Sequence, residues 1–181
     1  MKNIILMAVF TVVLASCSIV EDGKDKVTQK YIFEVQYINA AWGFTHAGLY
    51  IDYLGEVHAF RYDSAAQFLD YEKETYREAE LGERYNLNPY ILGTVGRDTL
   101  AEYKALVALV TAAGYSDTLR VGADMGQKMY SCFIYNNGLY EKILLKTEGD
   151  WVYQLKVAEA DSMVKWLDTV WNRHAETLLT Y

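Results

Sequence analysis

Lys128-Met129-Tyr130-Ser131-Cys132-Phe133-Ile134-Tyr135 and Leu139-Tyr140-Glu141-Lys142-Ile143-Leu144-Leu145-Lys146, joined by Asn136-Asn137-Gly138, decide the fold. Two β-prone runs flank residues that tolerate the positive φ of a tight reversal, so the segment reads as an antiparallel hairpin. A second reversal follows at Glu148-Gly149-Asp150, and Trp151 to Leu155 reads as a further strand.

The same grammar recurs upstream. Tyr31, Phe33, Val35 and Tyr37 alternate with Ile32, Glu34, Gln36 and Ile38, a period of two. His46 to Asp52, a turn at Leu54-Gly55-Glu56, and Val57 to Tyr62 make another hairpin. The period then changes. After Asp63-Ser64, residues Ala65, Phe68, Leu69, Tyr76 and Ala79 fall on one helical face, with Gly82 ending the helix. Asn86 to Val95, punctuated by Pro89 and Gly93, reads as loop. Asp98 is the expected N-cap of a second helix carrying Leu100, Tyr103, Leu106, Val107 and Val110, and Gly114 its expected C-terminal cap. Thr118 to Val121 suits a short strand before the loop Gly122-Ala123-Asp124-Met125-Gly126. Ala160, Met163, Val164, Leu167, Val170 and Trp171 line one side of a C-terminal helix. Runs of strands joined by tight turns favour an antiparallel sheet over βαβ units. The expectation is an α+β fold: one domain, a sheet of hairpins with about three helices packed against it.

At the N-terminus, Lys2 precedes an almost wholly apolar run, Ile4 to Leu14, too short to span a bilayer as a helix but suited to a signal peptide. Leu14-Ala15-Ser16-Cys17 follows it. This resembles the lipobox of bacterial lipoproteins and implies cleavage before Cys17 and acylation of its thiol, with two or more chains (palmitate is typical) giving stable anchoring. Residues 1–16 are then the signal peptide, and 17–29 a lipidated, polar, flexible tether. Residues 30–181 form the globular domain. Ser18, where the enteric sorting pattern places Asp for retention, implies passage to the outer membrane, facing the periplasm or the cell surface.

Composition bounds the partners. Losing Lys2 moves the net charge from -7 to about -8, an acidic balance that repels phosphate backbones and excludes nucleic acid as the expected partner. With Cys17 acylated, Cys132 has no cysteine partner in the chain, so stability has to come from an apolar core. The expected partners are the membrane, through lipid on Cys17, and an envelope protein or glycan; no cofactor is expected.

Three constellations bear on chemistry. His46 opening a strand, with Cys132 downstream, is similar to permuted papain-type hydrolases of the NlpC/P60 class; the resemblance implies His46 as base and Cys132 as nucleophile acting on peptide or acyl substrates. Such a nucleophile belongs at a helix N-terminus, whereas Cys132 lies inside a strand, where a thiol is commonly a small hydrophobe. His46 and His58 sit on neighbouring strands, but two ligands fall short of a zinc set and His174 is remote in sequence, so no metal is assigned. Asp124, Glu148 and Asp150 are acidic loop residues that match no dedicated calcium loop and suit turns. Were Trp42, His46, Asp124, Asp150 and Trp151 to meet at one edge of the sheet, they would form a polar-aromatic ligand patch.

Ala41-Trp42-Gly43, Ile51-Asp52, Gly122-Ala123-Asp124 and Gly149-Asp150-Trp151 together resemble small envelope lipoproteins of unassigned function. The function expected is therefore a membrane-tethered, non-catalytic binding or structural module, with the cysteine hydrolase as the alternative.

Overall fold

A computed structural model describes residues 29–41, 43–62, 73–85, 90–110 and 114–180. Among them the elements run β1 (Tyr31–Asn39), β2 (Thr45–Asp52), β3 (Glu56–Tyr62), β4 (Thr75–Arg77), α1 (Glu78–Tyr85), β5 (Tyr90–Thr94) and α2 (Arg97–Val107). The second half holds β6 (Leu119–Arg120), β7 (Gln127–Asn136), β8 (Leu139–Gly149), β9 (Trp151–Gln154) and α3 (Ala158–Thr180). The fold is α+β, with every strand pairing antiparallel in the order β5-β3-β2-β1-β7-β8-β9-β6. No described helix is long and apolar enough to cross a membrane.

Alternation along the strands feeds two cores. Phe33 and Val35 of β1, Leu49 and Ile51 of β2, and Tyr130, Cys132 and Leu145 of the β7–β8 hairpin face the helices. There they meet Leu100 and Val107 of α2 and Met163, Leu167, Val170 and Trp171 of α3. Trp166 is fixed between layers, stacked on Tyr103 at 4.3 Å and edge-on to Phe33 at 5.0 Å. The opposite face gathers Tyr50, Phe60, Tyr62, Phe133 and Tyr140 under Tyr76 of β4 and Leu81 and Tyr85 of α1. A bulge between Tyr31 and Phe33 inserts one residue, so Tyr31 pairs with Asp52 and joins this aromatic face, 5.5 Å from the Tyr50 ring.

The β7–β8 hairpin forms as its turn demands, Asn137 at φ 50 and Gly138 at φ 87. β8 is the hub. β7 runs along one side of it; on the other, β4 pairs with its first residues, Leu139 to Glu141, and β9 with Lys146 and Thr147.

Three expectations need correction. The amphipathic helix drawn through Tyr76 and Ala79 is not continuous: residues 63–72 lie outside the described ones, Thr75–Arg77 is a strand, and α1 runs through Gly82 to Tyr85. Pairing of Tyr76 with Tyr140 buries that ring in the sheet layer, and the Glu80 carboxylate accepts the Arg77 N–H at 2.7 Å, starting the helix there. The expected loop at Asn86 to Val95 contains the edge strand β5, zipped to β3 through His58–Ile91 and Ala59–Tyr90. Residues 86–89 lie outside the described ones. Finally, Gly96 rather than Asp98 takes the N-cap position of α2, leaving Asp98 in the first turn, and the helix stops at Val107, well short of Gly114.

Candidate functional site

Beneath α1 the aromatic face holds a dry polar cluster. Glu34 and Gln36 point from β1, His46 from β2 and Arg84 from α1, each at most 1% exposed. Arg84 Nε lies 3.2 Å from Glu34 Oε2, and Arg84 Nη2 donates to Gln36 Oε1 at 2.7 Å. Tyr85 donates its hydroxyl to Glu34 at 2.5 Å, and Tyr62 donates to the Arg84 carbonyl at 2.8 Å. Gln36 Oε1 also lies 2.8 Å from His46 Nε2; an amide oxygen only accepts, so His46 is held as its Nε2–H tautomer.

The electrostatics follow from burial. Desolvation, aided by the Arg84 and Lys142 charges, pushes the His46 imidazole down to about 3, so it is neutral. Burial alone would lower the Arg84 guanidinium, but Glu34 and the surrounding tyrosines outweigh it and hold the pKa above its ordinary value. Burial drives the Tyr85 hydroxyl far above the usual tyrosine range. The cluster is a sealed strut, inaccessible to a ligand.

Where α1 and β4 end, the same face opens into a groove of about 950 Å³. The switch of partner along β8, from β4 to β9, leaves Lys142 and Leu144 on its floor with Met129 and Thr147. Tyr115, Trp151 and Tyr153 supply aromatic surface, and Glu74, Asp124 and Asp150 supply carboxylates. Tyr115 and Tyr153 meet edge-on at 5.8 Å, and the Arg120 guanidinium lies 5.6 Å from the Trp151 ring centre. Lys142 connects groove and strut: its ammonium is 3.5 Å from the Tyr76 hydroxyl, and Arg84 lies over the same ring at 5.8 Å.

The rim is rigid. Asp150 Oδ1 accepts the Met125 N–H at 2.9 Å, the Asp150 N–H donates to the Gly126 carbonyl at 3.0 Å, and the Asp150 carbonyl accepts Val121. Gln127 clamps the Trp151 backbone, donating to its carbonyl at 2.6 Å and accepting its N–H at 3.1 Å. This closeness needs Gly149, at φ 131, because a Cβ there would lie 2.0 Å from the Gly126 carbonyl oxygen. Asp124 holds a left-handed φ of 66 on the same rim.

Asp124, Asp150 and Trp151 therefore meet in one groove. His46 does not join them; it is walled into the strut on the same sheet face. Trp42 and Cys17 lie outside the described residues. Cys132 is not brought to His46: it pairs with Phe33 on the helix face, while His46 pairs with Ile38 on the aromatic face, with β1 between their strands. Burial pushes the Cys132 thiol up to about 12, opposite to what a nucleophile needs. His58 is four residues along β3 from the partner of His46, Tyr62, and turns instead to Asp52 and Glu56. Sequence reading missed the floor residues Lys142, Leu144 and Met129, which belong to the hairpin that decides the fold and carry no chemical motif.

The fold and groove define a class by shape alone: an antiparallel sheet with two helices, α2 and α3, on one face and, on the other, α1 beside a groove walled by aromatic and acidic side chains. Compared with protein-family models, with curated proteins and with solved structures, the chain finds no match in any of the three.

Proposed function

We propose that this chain is a membrane-tethered envelope lipoprotein whose domain is a non-catalytic binding module, taking its ligand in the groove of the aromatic face. The groove carries this reading: about 950 Å³, with three aromatic rings and three carboxylates on a hydrogen-bonded rim. Concave sites of this size bind through apolar surface, with a few fixed polar groups giving orientation. Carboxylates that accept hydroxyl or amine protons beside flat aromatic rings suit a glycan, or a segment of an envelope protein with polar donors. The tether reading rests on the apolar run before Leu14-Ala15-Ser16-Cys17.

Both halves are tested on one preparation, the full chain expressed in a bacterium and extracted from membranes. Its intact mass is expected to match residues 17–181 plus acyl groups, with Cys17→Ser leaving the membrane fraction. Titration calorimetry with soluble cell-wall glycan fragments is expected to show binding, and Trp151→Ala with Asp150→Asn to abolish it. An unacylated N-terminus would overturn the anchor. Glycan and envelope-extract binding that ignores both substitutions would overturn the groove.

A further inference from the structure

At the opposite end of the sheet from the groove, the β2–β3 turn brings together Asp52, Glu56 and His58. Their ligating atoms all lie within 4.8 Å of one another. His58 Nε2 stands 3.5 Å from Asp52 Oδ2 and 3.4 Å from Glu56 Oε2. The Nε2 atom is buried and, beyond these two carboxylate contacts, accepts or donates no hydrogen bond. Charge-assisted N–H···O⁻ bonds close to about 2.7–2.9 Å; both contacts are within ion-pair reach but longer than that. These two separations are also close to the edge of a tetrahedron, since ligands about 2.0–2.1 Å from a central zinc stand roughly 3.3–3.4 Å from each other.

The three side chains are held for such a role. The His58 ring stacks on Tyr50 at 4.6 Å and 7°. Asp52 spends its other oxygen, Oδ1, on the N–H groups of Leu54 and Glu56, at 2.9 and 2.8 Å, which aims Oδ2 at His58. Gly55 fixes the spacing between the two carboxylates with φ 86; a Cβ there would strike the Val95 carbonyl oxygen at 2.7 Å. The two carboxylates carry negative charge that a divalent cation offsets, and the Glu56 side chain, 37% exposed, opens a path for entry.

We propose that Asp52, Glu56 and His58 form a site for one divalent transition-metal cation of the zinc class, bound through Oδ2, Oε2 and Nε2 with a fourth position open to water. Imidazole selects such ions over calcium, which requires six to eight oxygen ligands. In sequence the site is a D-x3-E-x-H spacing across a turn, a pattern that registers only once the hairpin register is known.

The test uses the full chain without any affinity tag, in equilibrium dialysis against zinc chloride with elemental analysis, repeated with calcium and magnesium chloride. Expected are one zinc per chain, a zinc-dependent rise in Tm, and no stoichiometric calcium or magnesium. Glu56→Gln and His58→Gln are each expected to weaken zinc binding on the order of 100-fold, the upper end of what even second-shell changes cost. His174→Gln is expected to leave binding unchanged. If His58→Gln does not fold, Glu56→Gln, on a partly exposed side chain, decides the matter. Absence of stoichiometric zinc, zinc retained at full affinity by Glu56→Gln, or equal uptake of calcium would overturn the proposal. None of these outcomes touches the groove, which is read by glycan titration.

Discussion

The two faces of this sheet are made by the same strands and solve burial in opposite ways. Toward α2 and α3 the buried core is aliphatic and aromatic, polar contacts such as Lys128 and Tyr130 with Asp168 lie at its margin, and the one thiol, Cys132, behaves as another apolar group. Toward α1 they are tyrosines packed around a buried Arg84, Glu34, Gln36 and His46. The first face gains from area removed from water and tolerates modest repacking. The second depends on every charged group keeping its partner, since a buried ion pair adds little net stability while a broken one is costly. The lesson is that one sheet can carry a forgiving side and an exacting one, and that the groove opens on the exacting side, where side-chain positions are fixed by hydrogen bonds.

The contrast can be broken hardest at Arg84. Arg84→Met leaves Glu34 buried and uncompensated, and a loss of about 4 kcal/mol in urea unfolding is expected, much of it restored when Glu34→Gln is added. A loss below about 1 kcal/mol would mean the cluster is wet and the two faces alike. On the helix face, Leu167→Ala is expected to cost about 3 kcal/mol by opening a cavity, with no change in how stability depends on pH.

The third prediction is a slope. The folded-state pKa of His46, about 3, lies below its ordinary 6.5, so the unfolded chain binds the proton first as the pH falls. The stability His46 contributes is complete above pH 6.5 and is lost toward pH 3, at about 1.4 kcal/mol per pH unit. His46→Gln is expected to flatten that segment by one proton in unfolding measured from pH 7 to 4. An unchanged slope would show that the imidazole is solvated.

Much of this was legible in the chain. Period-two alternation and the turn residues Asn137, Gly138 and Gly55 mark the hairpins, and the spacing from Ala160 to Trp171 marks α3. Tyr76 misled because it also fits a helical stripe that continues into α1 at Ala79; its pairing with β8, a long-range event, overrides that local preference. β5 escaped because an edge strand that contains Gly93 is held by its neighbour more than by its own residues. For the site, Asp124, Asp150 and Trp151 were within reach because loops at one end of a sheet converge. That His46 and Cys132 lie on opposite faces depends on register, which a single strand's pattern leaves open. The Arg84 strut was hidden for a similar cause: nothing near Glu34 in sequence announces that a helix about fifty residues later will cover it.

β1 has a further consequence as a spacer. The chain enters the sheet beside Tyr31, where the Lys30 N–H donates to the Tyr140 hydroxyl and Lys30 pairs with Glu78, and the groove begins at Ile38 and Asn39. At about 3.4 Å per residue the strand separates these points by roughly 27 Å. On the proposed tether, a domain held at its entry would present the open mouth of the groove at the far end of β1, with the length of the strand as standoff.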